Sequence, residues 1–188
     1  MVPTHVVVMG LMSSGKSSVG RMVAARLAWP FLDNDELLAA RYGAQASAIQ
    51  AAEGQAELHR REALVLLDAL AESQPSVITA AASVVEDAEV RKALHPHEVV
   101  WLDAPWEVLA RRVAQGDDHR PGRGPAVDEL LHRQHLVRAP LFTEVADITL
   151  DTSTATPEEV AVTVLDQLAG DSAPVPMGQD TPVPPMPQ

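Results

Sequence analysis

Near the start of the chain, Gly10-Leu-Met-Ser-Ser-Gly-Lys-Ser17 sets two glycines, a lysine and a serine in the pattern G-x-x-x-x-G-K-[ST]. The chemistry this spacing suits is phosphate binding. Gly10 and Gly15 let the backbone turn tightly and come close to an anion. Successive amide N–H groups, those of Ser13, Ser14, Gly15, Lys16, Ser17 and Ser18 among them, then point inward at a helix N-terminus as a cradle. The Lys16 ammonium would reach the β- and γ-phosphates of a nucleotide, and the Ser17 hydroxyl would hold Mg²⁺.

Two further groups of residues suit the same chemistry. In "FLDNDELL", Asp33 and Asp35 stand two residues apart. In an extended segment they would point the same way. Beside a Mg–phosphate site, one carboxylate could serve the metal's water shell and the other accept a hydroxyl proton. The segment "GDDHRPGRG" (116–124) joins glycines, a proline and basic side chains. It suits a mobile lid, of about 116–126, in which Arg120 or Arg123 swings over the phosphates.

Five short apolar or β-branched runs must position these residues: 5–10, 30–34, 76–80, 98–103 and 147–151. Helical periodicity separates them. Val19, Met22, Val23 and Leu27 recur at helix spacing after the loop, and 57–72 reads as another helix. Pro105 can open a helix that Gly116 closes. "TPEE" (156–159) is a capping box that starts the last helix, which Gly170 is expected to end. Such alternation predicts an α/β fold with a parallel sheet. Ligands of such sheets bind beyond the carboxyl ends of the strands. That places residues 10–17, 33–35, 80–83 and 103–106 along one rim.

Composition narrows the function. The chain has 188 residues, and its formal net charge of −12 argues against a nucleic-acid binder. It has no cysteine, so disulfides and cysteine-built zinc sites are excluded. The apolar run at residues 5–10 has no basic region before it and is not read as a signal peptide. No run approaches membrane-spanning length. The expectation is a cytoplasmic monomer with no membrane partner. One domain is expected over 1–170, with a disordered proline-rich tail over 171–188. His95, His97, His119, His132 and His135 show no metal-ligand spacing and are expected on the solvated surface.

Taken in order, the P-loop, "FLDND", "RYGAQASAIQAAEGQAELHRRE", "VVWLDAPWEVLARRV", "HRP" and "RAPLFTEVADITLDT" resemble the shikimate kinase family of P-loop small-molecule kinases. The resemblance runs from about His5 to Leu168. It implies a three-layer P-loop kinase fold with a five-stranded parallel sheet, a helical substrate subdomain at about 34–72 and the lid. It implies ATP and Mg²⁺, and a small hydroxylated anionic metabolite as acceptor. By that resemblance Lys16 and Ser17 stand at the ATP–Mg positions and Asp33 at the acidic residue near the metal. Asp35 stands at the aspartate that contacts the acceptor hydroxyl, Arg112 near the adenine, and Arg120 at the lid arginine on the phosphates. Arg138 stands at the arginine that grips the shikimate carboxylate.

Two positions depart from the family pattern. Leu58-His59 replaces a Phe-Arg pair whose arginine is the second carboxylate anchor, while Glu62 of the same motif is kept. An imidazole is shorter than a guanidinium and lacks its bidentate fork. Ala80-Ala81-Ala82 replaces three glycines, so three methyl groups are expected to crowd the acceptor pocket that His59 and these alanines line. The activity implied is ATP-dependent phosphorylation of shikimate at its 3-hydroxyl. The alternatives are a gluconate-type or other polyol or cyclitol kinase, since "AAASVVED" is similar to that family's segment, and a non-catalytic nucleotide-binding regulator.

Overall fold

Alternation along β1 (Val6–Met9) sets the layers. Val6 and Val8 enter one apolar cluster, Val7 and Met9 the other, because successive strand side chains face opposite sides. Both faces are covered, so all four residues are at most 2% exposed. The computed structural model describes residues 5–115 and 125–171. Within them β2 (Phe31–Asp33), β3 (Val77–Thr79), β4 (Glu98–Asp103) and β5 (Ile148–Asp151) complete a five-stranded sheet. Its order is β2-β3-β1-β4-β5 and every pairing is parallel. All five strands fall inside the runs expected from the sequence.

Helices α1 (Lys16–Leu27) and α8 (Pro157–Asp171) cover one face through Val19, Val23, Val160 and Val164. Helices α4 (Gln55–Leu70), α5 (Ala88–Leu94), α6 (Trp106–Gln115) and α7 (Pro125–Val145) cover the other through Leu66, Val90, Leu109 and Leu131. On that side Trp101 of β4 stacks on Phe142 of α7 with ring centroids 5.5 Å apart. The result is the three-layer arrangement expected. Between β2 and β3 lie α2 (Asn34–Tyr42), α3 (Ala46–Glu53) and α4. They share a small core of Leu38, Ile49, Leu58 and Val65.

Helix ends follow local chemistry. In α8 the Thr156 hydroxyl accepts from the Glu159 N–H at 3.2 Å, and the Glu159 carboxylate accepts from the Thr156 N–H at 2.8 Å. This is the reciprocal capping box read from "TPEE". Gly170 does not end the helix, which continues to Asp171, the last described residue. A glycine stops a helix by adopting positive φ, and Gly170 does not.

His97 is a second correction. It is 5% exposed, and its Nδ1 accepts the His5 N–H at 3.1 Å. The two rings lie 4.9 Å apart below the amino end of the sheet. A histidine whose acceptor nitrogen meets a buried main-chain N–H is better buried than solvated.

Close packing of α1 on the sheet depends on Gly20. A Cβ there would lie 2.7 Å from Thr79 Cγ2 and 2.9 Å from Phe31 Cε2. Gly20→Ala is therefore expected to destabilise the fold by about 1–3 kcal/mol, the cost of overpacking. Urea denaturation measures this, and an unchanged midpoint would mean that α1 shifts freely.

Candidate active site

The loop between β1 and α1 has the backbone an anion cradle needs. Gly10 and Gly15 have φ of 145° and 99°, and Ser13 has a left-handed φ of 63°. A Cβ on Gly10 would come within 2.5 Å of the Leu102 carbonyl oxygen and 2.7 Å of Ser14 Oγ. Gly15 caps α1 in the left-handed conformation, so the first turn of α1, with Lys16, Ser17 and Ser18, opens toward the loop. Ser14 Oγ is buried with no hydrogen-bond partner among the described residues. An orphaned hydroxyl in a strained glycine loop suits a ligand rich in acceptor oxygens, such as a phosphate. Lys16 Nζ curls back to the carbonyls of Gly10 and Leu11, both at 3.0 Å. Its charge thus lies over the loop.

Asp33 and Asp35 are arranged differently from the expected extended pair. Asp33 ends β2 and is the N-cap of α2, and Asp35 already lies in the first helical turn. Asp33 Oδ1 accepts the Asp35 N–H at 3.0 Å. The cap prevails because the carboxylate satisfies an N–H that the helix leaves unpaired. Asp33 Oδ2 accepts from Ser17 Oγ at 3.0 Å and from Thr79 Oγ1 at 2.9 Å. Sequence reading missed Thr79. It lies at the carboxyl end of β3, beside Asp33 in register, and the rim rule could have found it.

These oxygens fit the metal that the fold implies. Mg²⁺ takes hard oxygen ligands and commonly keeps its waters and the substrate phosphates, with one or two protein groups. Ser17 and Asp33 supply that number. Among the described residues no cluster of three His, Cys, Asp or Glu side chains forms a separate metal site.

Arg112 of α6 lies across the other side of the loop. Its Nη1 donates to the Ser13 carbonyl at 3.4 Å and to Thr152 Oγ1 at 3.3 Å, and its Nη2 donates to the Thr152 carbonyl. Thr152 Oγ1 in turn donates to the Asp103 carbonyl at 3.0 Å. Arg112 therefore ties the P-loop to the segment after β5.

A second group of charged side chains comes from α4, α7 and the turn after β3. Glu62 of α4 is 7% exposed and accepts a hydrogen bond from the Ser83 hydroxyl. Burial raises its pKa; the Ser83 bond opposes that, the Asp35 charge adds to it, and Arg138 opposes it. Glu62 thus feels both Asp35 and Arg138. Arg138 of α7 is 4% exposed, and its Nε donates to Glu86 Oε1 at 2.6 Å. His59 lies in the same field. Burial holds its pKa below the ordinary histidine value of 6.5, as does the Arg138 charge, while Glu86 opposes. At pH 7 it is a neutral imidazole and does not replace a second arginine. Its Nε2 is 3.3 Å from Gln55 Nε2.

The three alanines follow β3. Ala80 is 2% exposed and belongs to the core, and Ala81 and Ala82 pack against that core. None of the three has positive φ. Their side chains add to apolar packing, and the backbone here needs no glycine. Arg120 and the lid (116–126), apart from 125–126 at the start of α7, lie outside the described residues, as does the tail beyond Asp171.

The buried Glu62 carboxyl has a consequence for stability. Its neutral form is favoured in the fold. The stability linked to that form is full below the ordinary carboxylate pKa and is lost as pH rises through the raised one. Glu62→Gln keeps an acceptor for Ser83 and cannot ionise. Its urea midpoint is expected to exceed the parent's at pH 7, with the gap closing toward pH 4. A gap independent of pH would exclude ionisation as the cause.

An anion cradle with its lysine, a hydroxyl–carboxylate pair for a cation and a second carboxylate facing a buried arginine define a P-loop phosphotransferase. Comparison with known proteins makes this specific. The family model described as shikimate kinase matches residues 12–169. A shikimate kinase of Symbiobacterium thermophilum is 35% identical over 167 residues, covering 87% of this chain and 95% of the relative. One of Pseudomonas fluorescens is 34% identical over 167 residues, covering 88% and 96%. The solved shikimate kinase of Acinetobacter baumannii in complex with shikimate superposes with a TM-score of 0.82 at 25% identity, over 90% of this chain and 94% of that one. The chain belongs to the shikimate kinase family. It is an enzyme that transfers a phosphoryl group to an alcohol.

Proposed function

We propose that the protein phosphorylates the 3-hydroxyl of shikimate with ATP. The observation that carries this reading is a chain of hydrogen bonds and charge interactions. Ser17 meets Asp33, Asp33 caps Asp35, and Glu62 feels both Asp35 and Arg138. A phosphate cradle, a proton acceptor and a carboxylate anchor thus stand in sequence. Asp35 takes the proton of the acceptor hydroxyl as its oxygen bonds to the γ-phosphorus, and ADP departs with the bridging oxygen. Lys16 draws negative charge toward the loop. Ser17 and Asp33 would hold Mg²⁺, which would supply charge neutralisation at the phosphates. The loop residues Gly10, Ser13, Ser14, Gly15 and Ser18 hold the phosphates, and Arg112 flanks the base. Arg120, outside the described residues, is assigned to the phosphates by the family resemblance alone.

The subdomain of about 34–72 binds the acceptor, with His59 and the backbone of Ala80–Ala82 at its edge and Arg138 on the carboxylate. No helix among the described residues is long and apolar enough to cross a membrane, and an ATP-using enzyme of this kind belongs in the cytoplasm. ADP release with Mg-ATP tests the proposal, comparing shikimate, gluconate and no acceptor. Release that depends on shikimate supports it. Release with gluconate but not shikimate, or with neither, would refute it.

A further inference from the structure

We infer that Glu86 is a positioning residue for the acceptor: it holds Arg138 by Nε and leaves the two terminal nitrogens to receive the substrate carboxylate. This rests on the reading of Arg138 given above. Among the described residues, Glu86 is the hydrogen-bond partner of Arg138, and the bond is made to Nε alone, at 2.6 Å. A guanidinium presents five N–H donors along two forked edges. With Nε engaged, the edge formed by Nη1 and Nη2 is the one that remains. A carboxylate takes two parallel N–H bonds, and that edge supplies them. Glu86 therefore does not have to leave when the acceptor arrives.

The holder is itself held. Glu86 lies in a short 3-10 turn, Val84–Glu86, and its N–H donates to the Ser83 carbonyl at 3.0 Å. Arg91 Nη1 donates to the carbonyls of Val85 and Glu86, at 2.8 and 3.2 Å. Arg91 Nε pairs with Glu144 at 3.2 Å, on the same helix that carries Arg138. Both ends of the Glu86–Arg138 pair are thus braced to one another. The Glu86 side chain is 40% exposed and that of Arg138 5%, so the pair spans from solvent to the interior. Fixing a rotamer-rich side chain before the ligand arrives lowers the entropy lost on binding. That matters more here because His59 is a neutral imidazole and Arg138 is left as the cation.

Steady-state kinetics with shikimate test this in the parent, E86A, E86Q and E86D. Glu86→Ala is expected to raise the shikimate KM about tenfold, with kcat and the ATP KM unchanged. Glu86→Gln retains an acceptor oxygen at the same reach and is expected between parent and E86A. It also covers the case in which E86A does not fold. Glu86→Asp, which keeps the charge, is expected to recover part of the loss. A shikimate KM unchanged in both E86A and E86Q would overturn the inference. A lowered KM would overturn it too, making Glu86 a competitor of the substrate carboxylate. A rise in the ATP KM alongside a fall in kcat would mark a merely structural role. Absence of shikimate turnover in the parent would instead refute the acceptor reading, and it is seen before any variant is compared.

Discussion

Asp35→Asn is expected to lower kcat by roughly 10²–10⁴-fold, the range for losing a general base, while ATP·Mg binding stays close to the parent's. Three features of the site argue for such a clean separation. The Asp35 contact to Asp33 is made by its main-chain N–H, so it survives the substitution. Asp33 keeps its bonds from Ser17 and Thr79, so the region that would hold the cation is undisturbed. Asn matches Asp in size, and losing one negative charge in the first turn of α2 costs only about 0.3–1 kcal/mol of helix stability. What disappears is the group that accepts the hydroxyl proton. Calorimetric titration of ATP·Mg beside the turnover assay measures both halves. Undiminished turnover would remove Asp35 from the chemistry. Lost nucleotide binding would show that it serves the metal instead.

Arg138→Lys should produce the opposite split. The acceptor KM is expected to rise roughly ten- to a hundredfold, corresponding to the loss of one charge-assisted contact of about 1.5–3 kcal/mol, with kcat within a few-fold of the parent. Lysine keeps the positive charge and loses the planar fork. Keeping the charge is important because Arg138 is 4% exposed and lies in the field of Glu86 and Glu62. Truncation to alanine would remove the buried partner of Glu86 and leave a cavity in α7's packing, confusing stability with binding. A kcat that falls while the acceptor KM holds would place Arg138 with the phosphates rather than the acceptor. Saturation curves for the acceptor at fixed ATP decide between these outcomes.

What could be read from the residues alone was local. The cradle is a contiguous segment whose function lies in its own backbone, so "GLMSSGKS" announces it. The strands announce themselves as short β-branched runs, because in a parallel sheet covered on both faces most side chains away from the strand ends are apolar. The capping box of α8 needs only residues 156–159.

Tertiary structure decided the rest, because the partners lie far apart along the chain. Thr79 is 46 residues from the Asp33 it supports, and Glu86 is 52 from Arg138. Those pairs exist only because β3 lies between β1 and β2 and the turn after it meets α7. The direction of a side chain was equally hidden. Ala80–Ala82 pack on the apolar core, and His97 turns inward to accept the His5 N–H. Asp33 and Asp35 were legible as a pair of carboxylates, and the helix N-terminus they form is local, but the Thr79 bond to Asp33 is not. A sequence states which groups are present and which are neighbours along the backbone. Which groups meet across the sheet depends on strand order and register, and these are set by packing of the whole chain.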